Sequence, residues 1–211
     1  MNKPWERKAG RSTSVRKLQR HLIVCEDSKS GADYLRSFEV PDDFAEVVVE
    51  GGAGNTCGLV EKALELRKGA IDSKQPYSHV WCVFDRDSFP AKDFNRAFDL
   101  ASGGDKSDVK IIWSNECFEL WYLLHFELRT TGIGRKDLKR RISEPTRLGK
   151  KYEKGDTSVF ELLQDKTDTA IRNSKKLLAE YRDEVKPERD NPSTNVHELV
   201  VVLRKLKELR A

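Results

Sequence analysis

The stretch that most constrains this chain is His79-Val80-Trp81-Cys82-Val83-Phe84-Asp85-Arg86-Asp87. An apolar run climbs to Phe84 and then meets two aspartates two residues apart. Pro76 and Tyr77 precede it, and Ser88, Phe89 and Pro90 follow. An apolar run of this length between turn signals reads as a buried strand. Side chains alternate faces along a strand, so Asp85 and Asp87 are expected to point the same way at its carboxyl end. In open parallel sheets, ligands sit at that end. Two adjacent carboxylates repel unless a cation lies between them, and Mg2+, a hard oxygen-seeking ion, suits such a pair. The same spacing also fits a solvated turn with helix-capping aspartates.

The rest of the chain supplies a matching context. His21-Leu22-Ile23-Val24-Cys25 reads as a first strand ending in Glu26 and Asp27. If it neighbours the central strand in one parallel sheet, Glu26 and the aspartates can share a cation. Ala32 to Phe38 reads as a short helix, Ala45 to Val49 as a strand, and Leu59 to Lys68 as a helix. Between the last two, Glu50-Gly51-Gly52-Ala53-Gly54-Asn55-Thr56 is a glycine-rich turn, in a context where backbone amides bind phosphate. It lacks the Gly-Lys-Ser/Thr ending of a P-loop, and a tight turn needing positive φ explains it equally. Phe94 to Leu100 is a further helix and Val109 to Trp113 a fourth strand. Cys117 to Phe126 is so apolar that it reads as a buried helix carrying one acid, Glu119, and one histidine, His125. A buried Glu119 needs a cation, a proton or a metal; His125 reads as a core residue. Residues 127–156 are basic and punctuated by Gly132, Gly134, Pro145 and Gly149. Helices follow over Val159–Leu163 and Ala170–Tyr181. A last helix carries Val196, Leu199, Val200, Leu203 and Leu206 on one side, and Asn195 with Glu198 fits a capping box.

Strands alternating with helices through residue 126 imply an α/β fold: a Rossmann-like sheet of about four mainly parallel strands with flanking helices, plus a mainly helical C-terminal part. The expected organisation is a flexible basic segment over 1–19, an α/β core over 20–127, and a basic loop with helices over 128–211 packed on that core.

Charge bears on the partner. The net charge of +4 conceals two basic segments. Residues 1–20 carry seven basic side chains against Glu6, and residues 135–154 carry nine against three acids, so each is +6 and the remainder is −8. Basic segments on an acidic body suit a polyanion, nucleic acid above all, although a solvated charged surface looks similar. Within the second segment Tyr152 lies between Lys151 and Lys154, an aromatic interleaved with cations. Arg135, Lys136, Arg140, Lys150, Lys151 and Tyr152 are therefore the candidate nucleic-acid contacts. The four cysteines form no Cys-x-x-Cys pair and the four histidines no metal-ligand spacing. No apolar run approaches the roughly 20 residues of a membrane span, and the N-terminus lacks a signal-peptide core. A cytoplasmic protein without membrane contact is expected.

Acids after strands one and three, with another in the helix after strand four, resemble the Toprim arrangement of topoisomerases, primases and related nucleases. A closer resemblance spans nearly the whole chain and is to the RloB family, relatives of the AbiL abortive-infection component. It is carried by Leu22-Ile23-Val24-Cys25-Glu26, Val83-Phe84-Asp85-Arg86-Asp87, Ser114-Asn115, Cys117-Phe118-Glu119-Leu120-Trp121, His125-Phe126, Tyr152-x-Lys154 and Asn191-Pro192-Ser193-Thr194. The resemblance implies a Toprim-type domain with nuclease-like chemistry in anti-phage defence, encoded beside an ATPase partner. The implied site has Glu26, Asp85 and Asp87 holding Mg2+, with Mn2+ as the alternative ion. Glu119 is a further ligand or base, Lys154 stabilises charge on the phosphate, and Asn115 orients it. The implied substrate is RNA, tRNA included, or DNA. A non-catalytic regulatory or nucleic-acid-binding module of an ATPase complex is the rival expectation. The sequence departs from the family where Asp27 and Gly31 replace a glycine and a second glutamate. That departure leaves a single-ion site, a second ion borrowing Asp27 or Asp33, or an inactive variant as alternatives.

Overall fold

The computed structural model describes residues 19–49, 56–87, 90–103, 109–181 and 184–209. The basic segment before residue 19 and the glycine-rich turn at 50–55 lie outside the described residues. The elements run β1 (His21–Cys25), α1 (Gly31–Arg36), β2 (Ala45–Val49), α2 (Thr56–Asp72), β3 (His79–Asp85), α3 (Ala91–Ser102) and β4 (Val109–Asn115). They continue with α4 (Glu119–Leu124), α5 (Arg135–Ile142), α6 (Ser158–Leu163), a 3-10 turn, α7 (Thr167–Ala179), β5 (Ser193–Thr194) and α8 (Val196–Glu208).

The sheet has five strands in the order β2-β1-β3-β4-β5. The first four are parallel, and β5 pairs antiparallel with β4. From β1 the chain winds first to β2 on one side and then to β3 on the other. The strand order therefore reverses between β1 and β3, and the crevice beyond their carboxyl ends is the topological switch point where open α/β sheets bind ligands.

Strand alternation divides the apolar residues between two faces. Leu22, Val24, Val80, Cys82 and Phe84 pack with Leu59, Val60 and Ala63 of α2 and Phe94 and Ala97 of α3. Ile23, Cys25, Trp81, Val83 and Ile112 face the other way. They join α1, the buried helix α4, and Leu138, Ile142, Leu163, Leu177, Leu199 and Leu203 from the C-terminal helices. Both faces are covered, as a parallel sheet requires. The C-terminal region thus shares the core of one face, and it adds β5 to the sheet, an element absent from the sequence expectation.

Three local outcomes differ from that expectation. Helix α5 arises inside the basic segment read as a punctuated loop, its buried face made by Leu138 and Ile142 four residues apart. Asn195 does precede α8, but its side chain makes no cap. Its amide instead accepts from the Trp113 backbone N–H at 2.8 Å and donates to the Ile111 carbonyl at 2.9 Å, plugging the edge of β4. Strand β3 stops at Asp85, and Asp87 lies in a turn with φ of +42°, so the strand ends two residues short of what the alternation argument for the aspartate pair requires.

Three buried histidines are held neutral. His125 donates Nδ1–H to the Trp121 carbonyl at 2.9 Å and accepts from the Tyr34 hydroxyl at 3.4 Å. His21 accepts from Trp81 Nε1 at 3.1 Å, and His197 pairs with Ser174 at 2.9 Å. Burial lowers each to about 4. An unfolded histidine takes up a proton near pH 6.5, so between pH 6.5 and 4 the unfolded chain binds more protons than the fold. Stability then falls with falling pH across that window, by about 1 kcal/mol per pH unit for each histidine, and these groups contribute no slope above it. Urea midpoints for His125→Gln should be less steep than those of the parent between pH 6.5 and 5, and parallel to them above pH 7.

Candidate active site

The switch-point crevice is a cavity of about 140 Å3 lined by Cys25, Glu26, Asp27, Gly31, Val83, Phe84, Asp85, Asp87, Phe118 and Lys154. Glu26 follows β1 directly, and its backbone N–H still pairs with the Val83 carbonyl at 3.1 Å, so the ends of β1 and β3 stay in register. Beyond Asp85, the Arg86 N–H bonds to Ser114 at 2.9 Å and the Asp87 N–H to Glu116 at 3.1 Å. These bonds keep the chain alongside β4 until the turn at Asp87.

Burial dominates the electrostatics. It pushes the Asp85 carboxyl well up, and the nearby charges of Glu119 and Glu26 push it further. Burial also raises Glu26, against the Asp85 backbone amide that favours its charge. Two acids at the switch point therefore carry a penalty for being ionised, which a cation between them relieves. The acids offer oxygen donors, which suit Mg2+ or Mn2+, and burial pushes the Cys25 thiol, which also lines the cavity, toward its protonated form. Among the described residues, no group of three or more His, Cys, Asp or Glu side chains is gathered closely enough to hold a metal ion.

Two of the acids have protein cations as partners instead. Lys154 forms an ion pair with Asp27 at 2.5 Å. Burial pushes Asp27 up, but Lys154 and the Lys29 amide outweigh it and hold the carboxyl below the usual range. Gly155, at φ +91°, makes the turn that carries Lys154 past Lys29. Arg135, the first residue of α5, forms an ion pair with Asp87. Arg86 donates from Nε to the Glu188 carbonyl at 2.6 Å.

Several sequence candidates sit elsewhere. Glu119 is 3% exposed and does not line the cavity; it accepts from the Tyr152 hydroxyl at 3.0 Å and from Ser30 at 3.4 Å. Those hydroxyls supply the partners that a buried carboxyl in an apolar helix needs. Tyr152 is 6% exposed, its ring edge-on to Tyr122 at 5.8 Å, so it is a core donor rather than a platform for bases. Asn115 is buried and donates to the Pro187 carbonyl at 2.9 Å, pinning the loop before β5 instead of facing the cavity. Lys150 pairs with Asp156, Lys151 with Glu153, and Arg140 with Asp137, all toward the surface. Gly31 was marked from the sequence by its departure from the family, whereas Ser30 and Phe118 were not marked as residues around the cavity. Nothing in the local pattern of Ser30 and Phe118 separates them from ordinary turn and core positions.

Gly31 has a steric reason to be glycine. A Cβ there would meet the Phe118 ring at 3.2 and 3.3 Å. That ring is wedged between Tyr34 and Tyr122, with centroids 5.9 and 5.5 Å away, so it has little room to yield.

A model of the family described as RloB-like protein matches residues 21–203. No curated protein matches, and no solved structure does.

Two stability outcomes follow from this packing. Gly31→Ala should lower unfolding stability by about 1 kcal/mol, and Phe118→Leu in the same chain should recover part of that loss. Tyr152→Phe should cost about 1–3 kcal/mol by leaving Glu119 short of a donor. Both are read from urea unfolding monitored by tryptophan fluorescence.

Proposed function

Since the chain belongs to the RloB-like protein family, we propose that it is a Toprim-type nuclease. It hydrolyses phosphodiester bonds with a divalent ion and acts in anti-phage defence beside an ATPase partner. The observation that carries this reading is the meeting of Glu26, Asp85 and Asp87 in one cavity at the switch point, with Lys154 on its wall. Glu26, Asp85 and Asp87 would hold Mg2+ or Mn2+, and such an ion supplies a bound water of lowered pKa and screens charge on the phosphoryl oxygens. Lys154, exposed at the mouth, transfers its hydrogen bond from Asp27 to a phosphoryl oxygen and stabilises the charge that builds there. Glu119 acts from behind Asp85, adding negative charge to the pocket without touching substrate. The basic face of α5 supplies salt-sensitive attraction for the phosphate backbone.

A non-catalytic regulatory module is the second reading. It is favoured by one observation: two of the pocket acids, Asp27 and Asp87, already hold protein cations.

The two readings separate in a cleavage assay. Purified protein is incubated with tRNA, single-stranded RNA and duplex DNA, with Mg2+ or Mn2+, with and without the ATPase. The nuclease reading expects cleavage that falls at least 100-fold in Glu26→Gln and Asp85→Asn. Absence of cleavage throughout, with phage protection surviving Asp85→Ala, would overturn it in favour of the module.

A further inference from the structure

The cavity at the switch point is too small for a nucleotide. Its volume of about 140 Å3 falls below the ~300–1,000 Å3 of small-molecule sites. It has room for an ion, its waters and one phosphoryl group. The rest of a nucleic-acid strand must lie against a neighbouring surface.

A second cleft adjoins it. Asp87, Glu116, Gly134, Arg135, Lys136 and Asp137 line a space of about 530 Å3. That lies within the ~300–1,000 Å3 of small-molecule sites. Asp87 lines both spaces, so the two meet at the Asp87–Arg135 ion pair. The side chains are part-exposed, 39% for Arg135 and 29% for Asp87, but the paired Oδ1 of Asp87 is itself buried and accepts no hydrogen bond, so a ligand reaches the pair from the guanidinium side. Lys136 beside it is exposed and makes no ion pair among the described residues. Arg135 and Lys136 are also the first two residues of α5, where the helix dipole disfavours cations. Bound phosphate would offset that cost.

The backbone carrying Arg135 is pinned from the opposite side. The Asn191 side chain accepts from the Ile133 N–H at 2.9 Å and donates to the Ile133 carbonyl at 3.3 Å. The loop holding Asn191 is itself tied to the strand ends through Arg86 and Glu188 and through Asn115 and Pro187. A change of partner at Arg135 therefore needs only the side chain to swing.

We propose that the Asp87–Arg135 pair is an exchangeable latch opened by the phosphodiester backbone of a single-stranded nucleic acid lying in the second cleft. A guanidinium binds carboxylate and phosphate with the same two-pronged geometry, so the swap is nearly isosteric. On exchange Arg135 holds a backbone phosphate with Lys136 beside it, and Asp87 loses its counter-ion. The freed carboxylate faces the cavity that Glu26 and Asp85 also line, where the three would hold a divalent ion. Asn191 is a positioning residue. The latch rests on the reading of the acid pocket as the phosphodiester site, and it names what controls that site.

The test uses the full chain in EDTA, where no chemistry occurs, with fluorescent 20-nucleotide single-stranded RNA and DNA of one sequence as probes. Anisotropy gives the Kd and its salt dependence. Arg135→Ala should weaken binding about tenfold and reduce the slope of log K against log salt by about one. Arg135→Lys should recover part of the affinity, and Lys205→Ala on the C-terminal helix should change nothing. The decisive arm is a cycle. Asp87→Asn should tighten binding about three- to tenfold when Arg135 is present and not when residue 135 is alanine. Glu116→Gln, which removes a charge from the same cleft, should tighten both backgrounds equally. An equal Asp87→Asn gain in both backgrounds means general electrostatics and overturns the latch, as does wild-type binding by Arg135→Ala or no binding by the parent at low salt. Preference for one probe assigns the sugar class. A chain that shows the Arg135-dependent cycle yet never cleaves loses the nuclease reading and keeps the latch. One that cleaves but shows no cycle loses the latch alone.

Discussion

Four carboxylates crowd the end of a parallel sheet, and the fold around them is arranged to tolerate that charge. Glu26, Asp27, Asp85 and Asp87 share a cavity of about 140 Å3, with Glu119 buried behind it. Acids lining one partly desolvated cavity repel one another, and burial penalises the ionised forms of Glu26 and Asp85. The protein answers with cations at the rim, Lys154 on Asp27 and Arg135 on Asp87. It leaves Glu26 and Asp85 with raised carboxyls.

Those rim cations come from the C-terminal region, which explains why that region packs into the core of one sheet face. Side-chain amides and hydroxyls do much of the fixing. Asn195 plugs the β4 edge, Thr194 donates to the Trp113 carbonyl at 2.8 Å, and Ser174 donates to the Thr194 carbonyl at 2.8 Å. Each is a buried polar contact with one satisfied geometry, which apolar packing alone does not supply. The acids belong to the first half of the chain and their counter-charges to the second, so neither half makes the site by itself.

The parallel sheet and the acids at its strand ends, Glu26 and Asp85, were legible from sequence because their signals are local. An apolar run ending in acid marks a strand and its carboxyl end, and two such runs are enough to suggest a shared crevice. What was not legible depends on distant partners. Tyr152 sits among lysines in sequence, yet its hydroxyl is needed by Glu119 thirty-three residues away. Asn195 has the spacing of a capping box, but the β4 backbone competes for its amide and wins. Helix α5 hides in a charged run because only Leu138 and Ile142 mark its buried face. The two-residue β5 is specified by its pairing with β4 rather than by any pattern of its own.

Gly31 links packing to chemistry. The resemblance to the family expects an acid there, and Phe118 closes that space to even a methyl group without movement of its ring. The acids considered as substitutes are engaged: Asp27 with Lys154, and Asp33 with Arg36 at 3.7 Å. Where a second divalent ion would need ligands, this chain has an aromatic ring on one side and an ammonium group on the other. Lys154 can supply positive charge to a phosphate without coordinating anything, as a flexible point charge with three donors. Under the proposed function, the pocket is therefore built for one ion and one lysine. Its charge balance then depends on which oxygens Lys154 and Arg135 hold, those of the protein or those of a phosphate.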